Sequence, residues 1–184
     1  MGVLLDDKIS WKPQISHVRN KIAKSVGVLR RSRHLLNYKS LLMLYYALVY
    51  PYLNFGLEVW GNTYKTNLRP LIILQKRAIR IVHNTKYLDP TNPLFVKSSA
   101  LKLPDLIKFK TLFSERAGCQ RYELRGKQKL QEQGFRTTLK RMCISVHGVK
   151  LWNGLREEVR LCRSFNKFKG ILKREVLENY SRGD

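Results

Sequence analysis

The sequence predicts a mainly α chain: a helical bundle preceded by a short β-hairpin, with a small mixed C-terminal segment that ends in a helix. Three observations carry this. Ile15, Val18, Ile22, Val26 and Leu29 recur at steps of three and four, the spacing that lines one face of a helix. From Leu41 to Tyr50 every residue is apolar or aromatic. That run is too short for a bilayer, which takes about 20 residues, and it suits a helix buried on nearly all sides. Leu68, Leu71, Ile72, Ile79 and Val82 form a second broad apolar stripe.

The elements follow in order. Val3-Leu4-Leu5 is β-prone, Asp6-Asp7-Lys8 is turn chemistry and Ile9-Ser10-Trp11 resumes the apolar pattern, which predicts a hairpin within residues 1–14. A hairpin alone is marginal in water, so it looks orphaned from a sheet. A helical domain is expected over 15–117. Pro51 removes a backbone donor and predicts a kink or break, and Gly56 and Gly61 offer exits from helical geometry. The next helix runs roughly from Leu68 to His83, and Pro90 and Pro93 mark a loop from Asn84 to Asn92. A short helix over Phe95–Leu101 follows, and Pro104-Asp105 suits the first turn of another. Residues 118–134 are mostly charged or polar and read as a linker. In the last segment, 135–184, Met142 to Val146 alternates as a strand would. Ser164 then caps a final helix bearing Phe165, Phe168, Leu172 and Val176, with fraying expected beyond Tyr180.

Charge bounds the function. The chain has 184 residues with 36 Lys and Arg against 13 Asp and Glu, a formal charge of +23. Such an excess implies a polyanionic partner, nucleic acid before an anionic membrane, set against a plain solvated cationic surface. Between Asp7 and Glu58 there is no acidic residue. On the first helix Lys21, Lys24 and Arg31 fall opposite the apolar face, with Arg19 and Arg30 at its edges; on the later helix Arg69, Lys76, Arg77 and Arg80 cluster along one flank. These nine residues are the candidate nucleic-acid-binding set. Contacts of this kind are salt-sensitive and largely independent of sequence.

Catalytic signals are weak by comparison. Asp6-Asp7 mimics a polymerase carboxylate pair, but neighbours on a strand point to opposite faces, and a turn explains them better. Cys143 and His147 have C-x-x-x-H spacing without the second cysteine pair a zinc knuckle needs. His17, His34 and His83 lie among basic residues, and no nucleophile–base pair or phosphate-cradling glycine loop is evident. Trp11, Trp60 and Trp152 fit a core better than a base-stacking surface. Three cysteines (Cys119, Cys143 and Cys162), without a C-x-x-C pair, suit reduced thiols, and no signal peptide or myristoylation site is indicated, so an intracellular chain is expected. It is expected to bind rather than to catalyse, with no cofactor and no membrane partner.

The order of these signals resembles one family, the non-LTR (LINE-type, jockey-like) retrotransposon reverse transcriptases. Gly2-Val3-Leu4-Leu5-Asp6 with Ser10-Trp11-Lys12-Pro13-Gln14-Ile15 is similar to the element that follows the catalytic palm. Leu44 to Leu53, with Gly56 and Val59-Trp60-Gly61, resembles the helical thumb, and Leu74-Gln75-Lys76-Arg77-Ala78-Ile79-Arg80 the helix after it. Gly148 to Leu155, with Phe165 and Phe168-Lys169, resembles a segment near the polyprotein's end. The pattern departs at Met1, where the family has leucine, at Arg156, where it often has proline, and between Phe113 and Phe135, which is hard to match. The endonuclease, fingers and palm have no counterpart. The resemblance implies a truncated, thumb-like C-terminal fragment of an RNA-directed DNA polymerase whose parent uses Mg²⁺. It implies RNA or an RNA–DNA hybrid as partner, the missing palm or a full-length element protein as protein partners, and a nuclear or cytoplasmic ribonucleoprotein as setting. A free-standing basic helical RNA-binding protein is the alternative.

Overall fold

The structure, a computed structural model, describes residues 2–119, 129–132, 134–162 and 164–182. Its helices in chain order are α1 (Lys12–Ser32), α2 (Tyr38–Leu48), α3 (Tyr50–Asn54), α4 (Leu57–Trp60), α5 (Lys65–Val82), α6 (Asn92–Lys97), α7 (Leu103–Cys119), α8 (Thr138–Met142), α9 (Ile144–Asn153), α10 (Glu157–Arg160) and α11 (Phe165–Arg182). Among the described residues there is no strand, so the mainly α prediction stands while both of its β details fall.

The predicted hairpin fails for a local reason. The Asp6 carboxylate accepts from the Ser10 N–H at 3.0 Å and the Trp11 N–H at 3.1 Å, and the Asp6 carbonyl accepts from the Ile9 N–H at 2.9 Å. Turn 6–11 is thereby closed on itself, with Ile9 and Trp11 at φ 49° and 61°, left-handed values that no extended strand tolerates. The Leu4 N–H donates to Gln14 Oε1 on α1 (2.9 Å) instead of to a partner strand. The strand expected at 142–146 is also helix. Only Cys143, at φ −63° and ψ 148°, is extended, and it caps α9, whose Val146, Val149 and Trp152 are buried at helical spacing.

One apolar core runs from Ile15 to Tyr180. In it α1 lies against α5, while α2, α3 and α7 pack around this pair. Pro51 acts as predicted: α2 stops at Leu48, Val49 turns the chain and α3 begins with Pro51 in its first turn, where a missing N–H costs little. The run from Leu41 is not buried all round, however. Leu41, Tyr45, Val49, Leu53 and Leu57 turn inward at steps of four, whereas Met43 is 71% exposed. Two outer aromatics of α2 reach across: the Tyr46 hydroxyl donates to the Ser98 carbonyl (3.1 Å), and the Tyr38 hydroxyl to that of Lys97 (3.5 Å).

The C-terminal helix is docked as far as Tyr180 and runs on to Arg182. Tyr180 is buried, its hydroxyl donates to Asp105 Oδ2 (2.6 Å) and accepts from the Lys102 N–H (3.0 Å), and its ring lies 4.0 Å from Lys102 Nζ. Most of the expected linker, 120–128 and 133, lies outside the described residues. Leu130 within it pairs through N–H and C=O with the Asn153 side chain, both at 2.9 Å.

Candidate nucleic-acid interface

Helix α5 divides cleanly. Leu68, Leu71, Gln75, Ala78, Ile79 and Val82 are buried, and the opposite side carries Arg69, Ile73, Lys76, Arg77 and Arg80. Arg69, Ile73 and Arg77 are exposed; Lys76 and Arg80 are half-buried. Arg69, Lys76 and Arg80 follow one another at steps of seven and four along a single row. At about 1.5 Å per residue that row covers about 16 Å, or about five phosphate steps of one strand at ~3.4 Å each. Between Asp7 and Asp89 the only acidic residue is Glu58, and its Oε2 is buried. Every charge on the outer face of α5 is therefore positive, with Ile73 exposed among them.

Arg80 does more than contribute charge. Its Nε donates to the Asp89 carbonyl at 3.0 Å, its own carbonyl accepts from the Thr85 N–H at 3.1 Å, and its guanidinium lies 5.7 Å from the centre of the Tyr87 ring. It braces the loop after α5.

The candidate residues of α1 do not form a matching row. Arg19, Lys21, Lys24, Arg30 and Arg31 are all exposed. Lys21 and Arg30, nine residues apart, point to opposite sides of the helix. Lys21 instead joins Gly2, Gln14, His17, Tyr52 and Phe55 around a shallow pocket, while Lys24 and Arg31 face directly outward. The structure thus gathers the α5 residues and disperses those of α1.

The remaining candidates occupy structural places. Trp60 is fully buried with its indole N–H on the Phe55 carbonyl (2.9 Å), Trp152 is buried 5.9 Å from the Phe168 ring, and Trp11 is half-buried. The Asp6 carboxyl is held below its ordinary pKa chiefly by the Ser10 side chain and backbone. His83 Nε2 lies 2.7 Å from Ser98 Oγ and its ring 4.9 Å from that of Tyr38; burial, helped by Lys97, lowers its pKa. Cys143 is exposed at the N-cap of α9, one turn before the half-buried His147. Among the described residues no three His, Cys, Asp or Glu side chains stand together as a metal ion would require. Among the same residues no helix is long and apolar enough to cross a membrane.

Two features escaped the sequence reading. Gln75 is buried at the hub of the bundle: its amide donates to the Tyr45 hydroxyl (3.2 Å) and the Leu101 carbonyl (2.9 Å), and its Oε1 accepts from the Leu103 N–H (2.8 Å). Its signal was a lone amide amid buried stripe positions. Tyr87, beside Arg80, had only its place in a polar loop to mark it.

Compared with known proteins, the chain is similar to a probable RNA-directed DNA polymerase from transposon BS of Drosophila melanogaster, 28% identical over 47% of this chain. The match spans 10% of that relative's length. It supports a reverse-transcriptase-related origin for this region. No protein-family model and no solved structure matches the chain.

Proposed function

We propose that the chain is a nucleic-acid-holding module, derived from the thumb-like, post-palm part of a non-LTR retrotransposon RNA-directed DNA polymerase, that grips an RNA–DNA duplex through its phosphates and does not itself polymerise. The observation that carries this is the positive outer face of α5, where Arg69, Lys76, Arg77 and Arg80 stand with no carboxylate among them. Similarity to a transposon polymerase supports nucleic acid as the partner of fitting charge, and the exposed Val3, Leu4, Leu5 and Phe55 at the N-terminal end would offer an apolar surface to a palm-like protein partner. A nuclear or cytoplasmic ribonucleoprotein is the setting that follows. The continuous core from α1 to α11 favours a second reading, a free-standing RNA-binding protein using the same face.

The test is affinity for an RNA–DNA hybrid across a salt series. The Arg69→Ala, Lys76→Ala, Arg77→Ala triple variant leaves Arg80 in place, because Arg80 also holds the 85–89 loop. With about 0.9 counterions released per phosphate neutralised, the plot of log K against log salt should flatten by about 3 in this variant. An unchanged slope would place the contacts elsewhere. Equal affinity for single-stranded RNA and hybrid would favour the free-standing reading.

A further inference from the structure

We propose that Tyr87 is a stacking platform for an unpaired nucleobase at the end of the duplex that α5 holds. The inference rests on the phosphate-binding reading above and adds a second kind of contact to it. Tyr87 is 72% exposed, and the Arg80 guanidinium lies 5.7 Å from its ring centre. A cation beside the ring engages its π-electrons from one direction; the rest of the ring stands open to solvent.

The backbone that carries the ring is braced. The Lys86 N–H donates to Asp89 Oδ2 at 2.7 Å and the Asp89 N–H to the Lys86 carbonyl at 3.3 Å, so Tyr87 and Leu88 occupy the two middle positions of a closed turn. Both sides of that turn are tied to one residue: Thr85 N–H to the Arg80 carbonyl at 3.1 Å, and Arg80 Nε to the Asp89 carbonyl at 3.0 Å. Two χ angles and a braced backbone leave little freedom to lose on binding. The carboxylate of the turn, on Asp89, accepts from the Lys86 backbone N–H and makes no side-chain ion pair with Lys86, Arg77 or Arg80. A large exposed aromatic on a rigid tip has no packing role to account for it, and Leu88 beside it is more exposed still.

Position supplies the ligand. Arg80 ends the row that begins at Arg69, and Tyr87 stands on Arg80. A strand tracked by the row therefore arrives at the ring at its end. A paired base is covered by its neighbours in the stack, whereas an unpaired one has a free π-face. Positive groups that follow a backbone and an aromatic ring that takes a base are the combination that holds single strands.

The experiment compares a short blunt RNA–DNA hybrid with the same hybrid carrying an unpaired tail, a fluorescent adenine analogue being the first unpaired base. The full chain should bind the tailed hybrid roughly tenfold more tightly and quench the analogue. Tyr87→Ala should lose both the preference and the quenching while binding the blunt hybrid as before, and Tyr87→Phe should keep both. Thermal melting of each variant checks that the fold survives. Blunt and tailed hybrids bound equally by the full chain, or a Tyr87→Ala variant that still prefers the tail, would overturn the platform and leave the α5 reading standing. Binding to neither hybrid would overturn both.

Discussion

Gln75 is a buried amide given over to architecture. Its one side chain satisfies the Leu101 carbonyl and the Leu103 N–H, where the chain passes from α6 to α7, and it meets the Tyr45 hydroxyl of α2. Gln75→Ala strands those buried groups, at about 1–3 kcal/mol each where water does not replace the partner. A loss of about 3 kcal/mol in denaturant-derived stability is expected; a loss under about 0.5 kcal/mol would show that the network is dispensable. His83 gives a pH test with a definite sign. Burial, with Lys97 adding to it, lowers its folded pKa from 6.5, so the unfolded chain takes up the proton first. The stability it contributes is full above that ordinary value and is lost as pH falls through it toward the lowered one. His147, lowered by burial and by Lys108 and Lys150, adds in the same direction. The melting temperature should drop between about pH 7 and pH 5, less steeply in His83→Gln. An equally steep drop in that variant would remove His83 from the account.

At the scale of the element, what was legible depended on period and length. Helices α1 and α5 are long amphipathic repeats, and their buried positions, Ile15 to Leu29 and Leu68 to Val82, are almost those the spacing marks. Short windows misled. Five residues at 142–146 alternate as a strand would, yet extending the window to Trp152 reveals helical spacing at Val146, Val149 and Trp152. Val3-Leu4-Leu5 had the composition of a strand, and nothing in composition reveals that Asp6 turns its carboxylate onto the backbone N–H groups of Ser10 and Trp11. The charged set was legible as residue types but not as a surface: α5 keeps its cations on one side, whereas α1 spreads them around its axis. Gly61 joins two elements. A Cβ there would stand 2.3 Å from the Leu57 carbonyl and 2.9 Å from Ile107 of α7. The nearer atom is backbone of α4 itself, so Gly61→Ala must distort the end of α4 as well as press on Ile107, and should cost about 2–3 kcal/mol. A melting temperature unchanged from the parent would mean that the α4–α7 contact yields freely.

For the molecule as a whole, the decisive relation is between a core that is continuous and a charge that is not neutralised. The apolar cluster joins α1 to α11. Among the described residues, the side-chain ion pairs Lys108 with Asp105 and Arg156 with Glu175 lie in the second half of the chain, and the long amphipathic helices α1 and α5 carry no carboxylate of their own. Self-repulsion at a formal +23 works against compaction, and salt or a polyanion relieves it. The core also carries its own optical reporters. Trp60 is sealed between the Phe55 carbonyl and the α4–α7 contact, Trp152 lies against Phe168 of α11, and Trp11 is half-exposed ahead of α1. Trp60→Phe leaves the C-terminal indole as the buried emitter, and Trp152→Phe leaves the one in the bundle. If the core melts as one body, the two emission shifts on denaturant titration will share a midpoint once each variant's own stability is allowed for. Separate midpoints would divide the chain in two. The two buried indoles, read from the sequence as core, thus become the protein's own lamps, one in each half of its interior.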